Sequence, residues 1–150
     1  MKETIVFDLI KDLKKIKTEK QQHTEVNVYE GKEGIRALMK QIIKTKQFLS
    51  FGGTGRAYDL LYEMPAITKQ AEKTKANARV IINSESRNHE FTKHKHIDVR
   101  ILDTKSEATT TIFGESIAIH IIKDKPIVIL IKNKDVANSY KAHFNELWKI

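Results

Sequence analysis

Short runs rich in β-branched residues fill the second half of the sequence, and they indicate that the fold is built on a sheet. Five such runs follow one another: Ala78 to Asn83 (ARVIIN), His96 to Leu102 (HIDVRIL), Thr109 to Phe113 (TTTIF), Ile117 to Ile122 (IAIHII) and Ile127 to Lys132 (IVILIK). Residues branched at Cβ are enriched in strands. Because Gly114-Glu115 and the run 123–125 mark tight turns, the last strands are predicted to form an antiparallel meander.

Strands and amphipathic helices alternate before these runs. Val26 and Val28 alternate with polar neighbours, and apolar residues then recur at helical spacing, at Ile35, Leu38, Met39, Ile42 and Ile43. A short strand at 48–51 leads into a glycine-rich turn, and a second helix is predicted from about Ala57 towards Lys75, bent or restarted at Pro65. A closing helix over 135–148 has Asp135 as its predicted N-cap. This order predicts an α/β fold, a mixed sheet with helices on both faces.

The N-terminal stretch 3–20 carries one apolar stripe at helical spacing, formed by Val6, Leu9, Leu13 and Ile16. A helix of this length is marginal alone in water, so the stripe needs another surface to cover it. The polar segment KTEKQQHTE separates it from the rest of the chain. We therefore predict an N-terminal dimerisation or linker helix at 1–23, an α/β domain at 24–150 and a homodimer, with packing of the stripe on its own domain as the alternative.

Composition excludes several classes of function. The chain has no cysteine, which removes disulfides, thiol nucleophiles and thiolate metal sites. No membrane span or signal peptide is evident, so we predict a cytoplasmic protein without a membrane partner. The net charge of +8 is compatible with nucleic-acid binding. However, the lysines are scattered among acidic residues and only five of the 27 basic residues are arginines, which favours a solvated surface.

Two polar segments are candidates for a ligand site. The turn Gly52, Gly53, Thr54, Gly55 and Arg56 leaves a strand and opens a helix, where backbone N–H groups can bind an anion. The segment after the next strand offers Asn83, Ser84, Glu85 and Arg87, and parallel neighbouring strands would bring it to the same edge. These residues predict a small anionic or sugar ligand. The alternative is a tight turn and an ordinary polar connector.

The histidines give little support for a metal or cofactor. His89, His94 and His96 invite a zinc hypothesis, but their spacing fits no compact metal motif, and Lys93 and Lys95 would repel a cation. The sequence therefore predicts no metal and no cofactor. His120 alternates with buried strand positions and is interpreted as a satisfied surface or core histidine, and His143 as a solvated one.

Several segments together resemble a known family. The runs VNVYEGKEGIRALMKQIIKTKQ, FGGTGRA, RVIINSES and PIVILIKNKDVANSYKAHFNELWK, within residues 25–149, look like the phospholipase D-like effector domain of TrmB-type archaeal transcription regulators. The resemblance implies a phospholipase D-like fold. It also implies that DNA is contacted only through a preceding winged-helix domain, which has no counterpart in this sequence.

The resemblance also bears on catalysis. Phospholipase D enzymes use His-x-Lys-x-x-x-x-Asp on the strand before the Gly114 turn, where this chain has Ala108, Thr110 and Glu115. The resemblance therefore implies a non-catalytic ligand-sensing and dimerisation domain of a transcription regulator. Two alternatives stay open: a phosphodiesterase or nuclease with an unrecognised site, such as His89 and His96 with Glu85, and a basic nucleic-acid-binding protein.

Overall fold

A computed structural model describes residues 8–12 and 24–150, and the second range forms a seven-stranded sheet with helices. The strands are β1 (Glu25–Glu30), β2 (Gln47–Gly53), β3 (Asn77–Asn83), β4 (Ile97–Leu102), β5 (Ala108–Phe113), β6 (Ser116–Ile121) and β7 (Ile127–Lys132). The α-helices of this range are α1 (Gly31–Thr45), α2 (Arg56–Leu60), α3 (Met64–Glu72) and α4 (Lys134–Trp148). Two short 3₁₀ turns, Ser84–Ser86 and Glu90–Lys93, lie between β3 and β4.

The sheet is mixed, with the strand order β1-β7-β6-β5-β2-β3-β4. β2, β3 and β4 are parallel neighbours, whereas β5, β6 and β7 form an antiparallel meander. Parallel strands need long crossover connections, which the segments holding α2, α3 and the 3₁₀ turns provide. The tight turns between β5, β6 and β7 allow only antiparallel pairing. The predicted meander and the predicted parallel pairing of the second and third strands are both confirmed.

Helices cover both faces of the sheet, as the sequence predicts. On one face, α1 buries Ile35 and Leu38 against Ala118 and Val128 of the sheet, and α2 and α3 extend this core. On the other face, Phe144 of α4 packs in a second core, with Ile81, Ile112 and Ile117 of the sheet. Alternate residues of a strand point to opposite faces, which explains why consecutive residues of β5 and β6 contribute to different cores.

Two predicted helix boundaries need correction. Asn133, not Asp135, caps α4, because its side-chain oxygen accepts a hydrogen bond from the Val136 amide at 3.0 Å. The same side chain donates to Thr24 Oγ1 at 2.7 Å. The helix predicted from Ala57 to Lys75 is two helices, and Pro65 lies in the first turn of α3, where a missing N–H is tolerated.

The N-terminal segment is described only at residues 8–12, which are helical. Leu9 is 57% exposed and its neighbour Ile10 is 44% exposed. Val6, Leu13 and Ile16, the other members of the predicted stripe, lie outside the described residues. Across 8–12 and 24–150, no helix combines the length and apolar character needed to cross a bilayer.

Candidate functional site

A cavity of about 150 Å³ lies between the sheet and the helices α1, α2 and α3. Most of its wall is apolar, with Ile42 and Met64 on the helix side and Phe48 and Val80 on the sheet side. Residues from both ends of β2 line it, so it runs along much of that strand, which spans roughly 20 Å at about 3.3 Å per residue. The cavity is therefore mainly apolar and partly open to solvent.

A group of polar side chains on the sheet faces this cavity. Thr109 of β5 pairs directly with His120 of β6, and Thr111 pairs with Ser50 of β2. The Thr109 hydroxyl donates a hydrogen bond to the Gly52 carbonyl oxygen at 2.9 Å. The hydroxyl oxygens of Ser50 and Thr111 lie 3.3 Å apart and share a hydrogen bond. Hydrogen bonds within the protein therefore already use these hydroxyl groups.

His120 differs from these hydroxyls because one of its ring nitrogens is unpaired. The residue is 6% exposed, and its Nδ1 is buried without a hydrogen-bond partner in the described part of the chain. Burial lowers the pKa of His120 to about 4, so the ring is neutral at pH 7. The sequence interpretation of a satisfied histidine is therefore wrong for this nitrogen. The alternation in IAIHII places His120 on the same inward face as Ala118, and this was the available signal.

His96 is a second cavity residue of this kind. Its Nδ1 is also buried and has no hydrogen-bond partner among residues 8–12 and 24–150. Burial, together with the neighbouring His94, lowers the pKa of His96 below its ordinary value. The ring centroids of His94 and His96 are 6.0 Å apart. Two histidines that line one largely apolar space thus each have a buried Nδ1 without a hydrogen-bond partner among the described residues.

The glycine-rich turn is packed closely against other parts of the chain. A Cβ on Gly52 would lie 2.5 Å from the Ala108 carbonyl oxygen, and a Cβ on Gly55 would lie 2.4 Å from the His89 ring. Arg56 is paired with Glu107 at 2.9 Å, and this guanidinium holds the pKa of Glu107 below its ordinary value. The glycines therefore allow close packing of neighbouring segments, and the predicted anion site is partly occupied by the chain itself.

The structure brings the two predicted ligand segments together, since Ser86 Oγ donates to the Thr54 carbonyl at 3.1 Å. Asn83 Nδ2 donates to the Ser106 carbonyl at 2.8 Å, and Ser84 Oγ donates to Asp103 at 3.0 Å. Arg87 Nε donates to the Ser84 carbonyl at 3.2 Å, whereas Glu85 is exposed. These contacts tie the segment after β3 to the one before β5. Ligand binding at this edge stays a prediction.

Two further histidines, His89 and His94, connect the segment before β4 to the helices α2 and α3. His89 Nε2 lies 2.9 Å from Asp59, and His89 Nδ1 accepts from the Phe91 amide at 3.1 Å. His94 Nδ1 lies 2.6 Å from Glu72, whose pKa it lowers, and His94 Nε2 lies 3.2 Å from the Tyr58 hydroxyl. Within the described ranges, no cluster of three or more His, Asp or Glu side chains is arranged to hold a metal ion.

Two of the three positions that the family resemblance assigns to the phospholipase D motif, Ala108 and Thr110, lie on β5, and the third, Glu115, follows it. Ala108 and Thr110 alternate with Thr109 and Thr111, so they share the face of Ile112, which packs in the core beneath α4. The face towards the cavity carries Thr109 and Thr111. Neither face of this strand supplies an imidazole or an ammonium group.

Comparison with known proteins shows the fold. No protein-family model matches the chain, and no curated protein matches its sequence. Among solved structures, the chain is similar to TrmBL2, an archaeal chromatin protein whose structure shows a novel mode of DNA binding, with a TM-score of 0.58 and 15% identity. That match covers 98% of this chain and 64% of TrmBL2, so the chain spans less than two thirds of that protein.

Two further similar structures are NucT from Helicobacter pylori and Nuc from Salmonella typhimurium, a phospholipase D family member. NucT gives a TM-score of 0.59 at 11% identity, covering 84% of this chain and 96% of NucT. Nuc gives a TM-score of 0.60 at 14% identity, and the match covers 84% of this chain and 95% of Nuc. The chain therefore has a phospholipase D-like fold, as predicted from the resemblance to TrmB-type regulators.

Proposed function

We propose that this chain is a non-catalytic ligand-sensing and dimerisation domain of a TrmB-like transcription regulator. The observation that carries the proposal is the composition of β5, because the family resemblance implies a histidine nucleophile and a lysine at the positions of Ala108 and Thr110. Alanine has no nucleophile and threonine has no positive charge. The cavity-facing Thr109 donates its hydroxyl proton to the Gly52 carbonyl, and this bond does not activate it for attack.

The ligand-sensing part of the proposal is supported by the cavity and the segments around it. Gly53 to Arg56 line the cavity on one side and contact the segment after β3 through Ser86 and Thr54. A bound ligand there would bias the placement of two subunits only if it bound one arrangement more tightly than the other. An anion at the turn would compete with Glu107 for Arg56, since these two side chains are already paired.

The dimerisation part of the proposal is supported by the exposed apolar side chain of Leu9. A helix that leaves a leucine in water gains stability by covering it with another apolar surface. The predicted stripe would supply that surface from a second copy. Any DNA-binding domain would then receive the signal through this helix.

Direct nucleic-acid binding is the second candidate function. It is favoured by the net charge of +8 and by the similarity to TrmBL2.

The third candidate is a nuclease or phosphodiesterase that uses His89, His96 and Glu85. Against it, both ring nitrogens of His89 are already in hydrogen bonds, with Asp59 and with the Phe91 amide.

One experiment separates these three candidates. The chain is incubated with labelled single-stranded and duplex DNA, at low and moderate salt, with and without divalent metal ions. Cleavage is followed on gels and binding by fluorescence anisotropy. We expect no cleavage above buffer, because β5 lacks the motif's nucleophile, and no binding that depends steeply on salt.

A phospholipase D-type nuclease assayed in parallel shows that the conditions support catalysis. Cleavage that is lost in His89→Ala would overturn the non-catalytic proposal. Binding that weakens by about tenfold or more between about 50 and 200 mM salt would favour direct nucleic-acid binding instead.

A further inference from the structure

We infer that the cavity beneath α1 and α3 binds a neutral, mainly apolar molecule of about benzene size that carries one hydrogen-bonding group, and that His120 receives this group. The inference rests on the proposed ligand-sensing function and names the ligand class for it. Three observations support it: the volume of the cavity, its apolar wall, and the buried His120, whose Nδ1 has no hydrogen-bond partner in the described part of the chain.

The volume restricts the size of the ligand. The cavity measures about 150 Å³. A buried apolar cavity of about this size is known to accept benzene, whereas pockets for larger ligands measure about 300–1,000 Å³. A sugar phosphate or a nucleotide would therefore extend out of this space into solvent. A single six-membered ring with one substituent would.

The wall restricts the charge of the ligand. Ile42, Met64 and Val80 offer no polar groups to replace the hydration shell of an ion. Of the two basic residues along the wall, Arg56 is already paired with Glu107, and Lys46 is exposed at the far end of β2. In the apolar middle of the cavity an anion would lose hydration, while Lys46 lies at the far end of β2 and Arg56 is held by Glu107, so a neutral ligand is favoured.

The polar groups of the wall restrict where the ligand is held. The hydroxyls of Ser50, Thr68 and Thr109 are in hydrogen bonds within the protein. The Nδ1 atoms of His120 and His96 are buried and unpaired in the part of the chain that the structure describes. An unmade hydrogen bond at a buried group costs free energy. A ligand hydroxyl would recover it after the imidazole ring turns about its Cβ–Cγ bond and presents Nδ1 to the cavity. His120 is the more deeply buried of the two, at 6% exposure, and is the better anchor.

The test uses phenol, toluene and inorganic phosphate as probes of the full chain. Phenol and toluene have the same ring, but only phenol can form a hydrogen bond. Affinities are measured by calorimetry, and the site is located from amide chemical shifts in ¹H–¹⁵N NMR spectra. We expect phenol to bind about tenfold more tightly than toluene, as one additional hydrogen bond would give, and phosphate to leave the cavity amides unchanged.

Three variants assign the effect to the cavity. His120→Leu should reduce the advantage of phenol over toluene from about tenfold to less than about threefold while toluene still binds. Ala71→Leu places extra volume in the cavity wall and should abolish binding of both probes. His143→Leu, on the exposed surface of α4, is the matched control and should change neither affinity.

The outcomes decide between the alternatives. No binding of either aromatic probe, the result expected if the cavity holds only water, overturns the inference. Equal affinities for phenol and toluene overturn the role of His120, as does an unchanged preference in His120→Leu. If His120→Leu does not fold by NMR, loss of both probes in a folded Ala71→Leu supports the site, and retained binding overturns it. These readouts are independent of DNA cleavage, so the inference and the non-catalytic proposal can fail separately.

Discussion

Gly55 and Gly31 have the same backbone conformation but different surroundings. Their φ angles are 78° and 77°, in the left-handed region that residues with a side chain adopt at a cost. A Cβ at Gly31 would meet nothing within 4 Å, whereas a Cβ at Gly55 would lie 2.4 Å from the His89 ring. Gly31 is thus required for conformation alone, and Gly55 also for the approach of the segment after β3.

Substitution of these two glycines separates the two requirements. Gly31→Ala should lower the free energy of unfolding by about 1 kcal/mol, the cost of the left-handed conformation. Gly55→Ala should lower it by about 3 kcal/mol, because displacement of a packed ring adds about 1–3 kcal/mol. Urea unfolding monitored by circular dichroism measures both. Adding His89→Ala should bring the cost of Gly55→Ala down towards that of Gly31→Ala, and equal costs in the single variants would contradict the packing argument.

His120 should make the stability of the protein depend on pH below neutrality. Its pKa falls from an ordinary 6.5 to about 4 in the folded protein because of burial. The unfolded chain therefore binds a proton more readily between these values, and folding stability falls as pH drops from about 6.5 to about 4. At about 1.4 kcal/mol for each tenfold change in proton affinity, the full effect is about 3 kcal/mol.

The measurement is urea unfolding at pH 7 and at pH 4.5. Between pH 7 and pH 4.5, the free energy of unfolding of His120→Leu should fall by about 2 kcal/mol less than that of the wild type. The reason is that leucine does not titrate in the folded or the unfolded state. His143→Leu serves as the control and should follow the wild type. A pH dependence that is the same in all three proteins would show that His120 is not held neutral by burial.

At the scale of elements, the strands and α1 could be predicted from local pattern. β7 lies at 127–132 as predicted, because IVILIK is bounded by turn residues and suits a strand. The N-cap of α4 could not be predicted, because Asn133 and Asp135 are both good caps and the choice depends on where β7 ends against β1. The cavity was missed because its lining comes from separate elements. Whether a ring nitrogen of His120 has a hydrogen-bond partner depends on how the elements around the cavity pack together.

The N-terminal helix carries the prediction about assembly. Removal of residues 1–20 should halve the mass measured by light scattering, because the proposed dimer contact would be lost. Leu9→Glu should weaken the dimer in the same direction, since it places a charge on the apolar stripe. Lys11→Glu, two residues away and exposed, is the matched control for a change of charge. A mass that is unaffected by the truncation would exclude pairing through this helix.

At the scale of the whole molecule, one fold supports different functions. The chain shares its phospholipase D-like architecture with a chromatin protein and with a phospholipase D family member. Fold similarity at 11–15% identity does not transfer activity, because chemistry depends on the side chains that the fold presents. The overall architecture was predictable from the order of elements and the family resemblance. The side chains of β5 and the histidines that line the cavity depend on the particular sequence and could not be read from the fold.

The pairing of β1 with β7 joins the beginning and the end of the sheet-forming chain. Glu25 pairs with Lys132, and Thr24 is hydrogen-bonded to Asn133. During translation, at about 5–20 residues per second, β1 is synthesised about 5–20 seconds before β7. Val26 and Val28, which are 59% and 60% exposed even in the finished sheet, are uncovered throughout this interval. The nascent chain therefore has an apolar strand available to chaperones, or to neighbouring nascent chains, until β7 has been made.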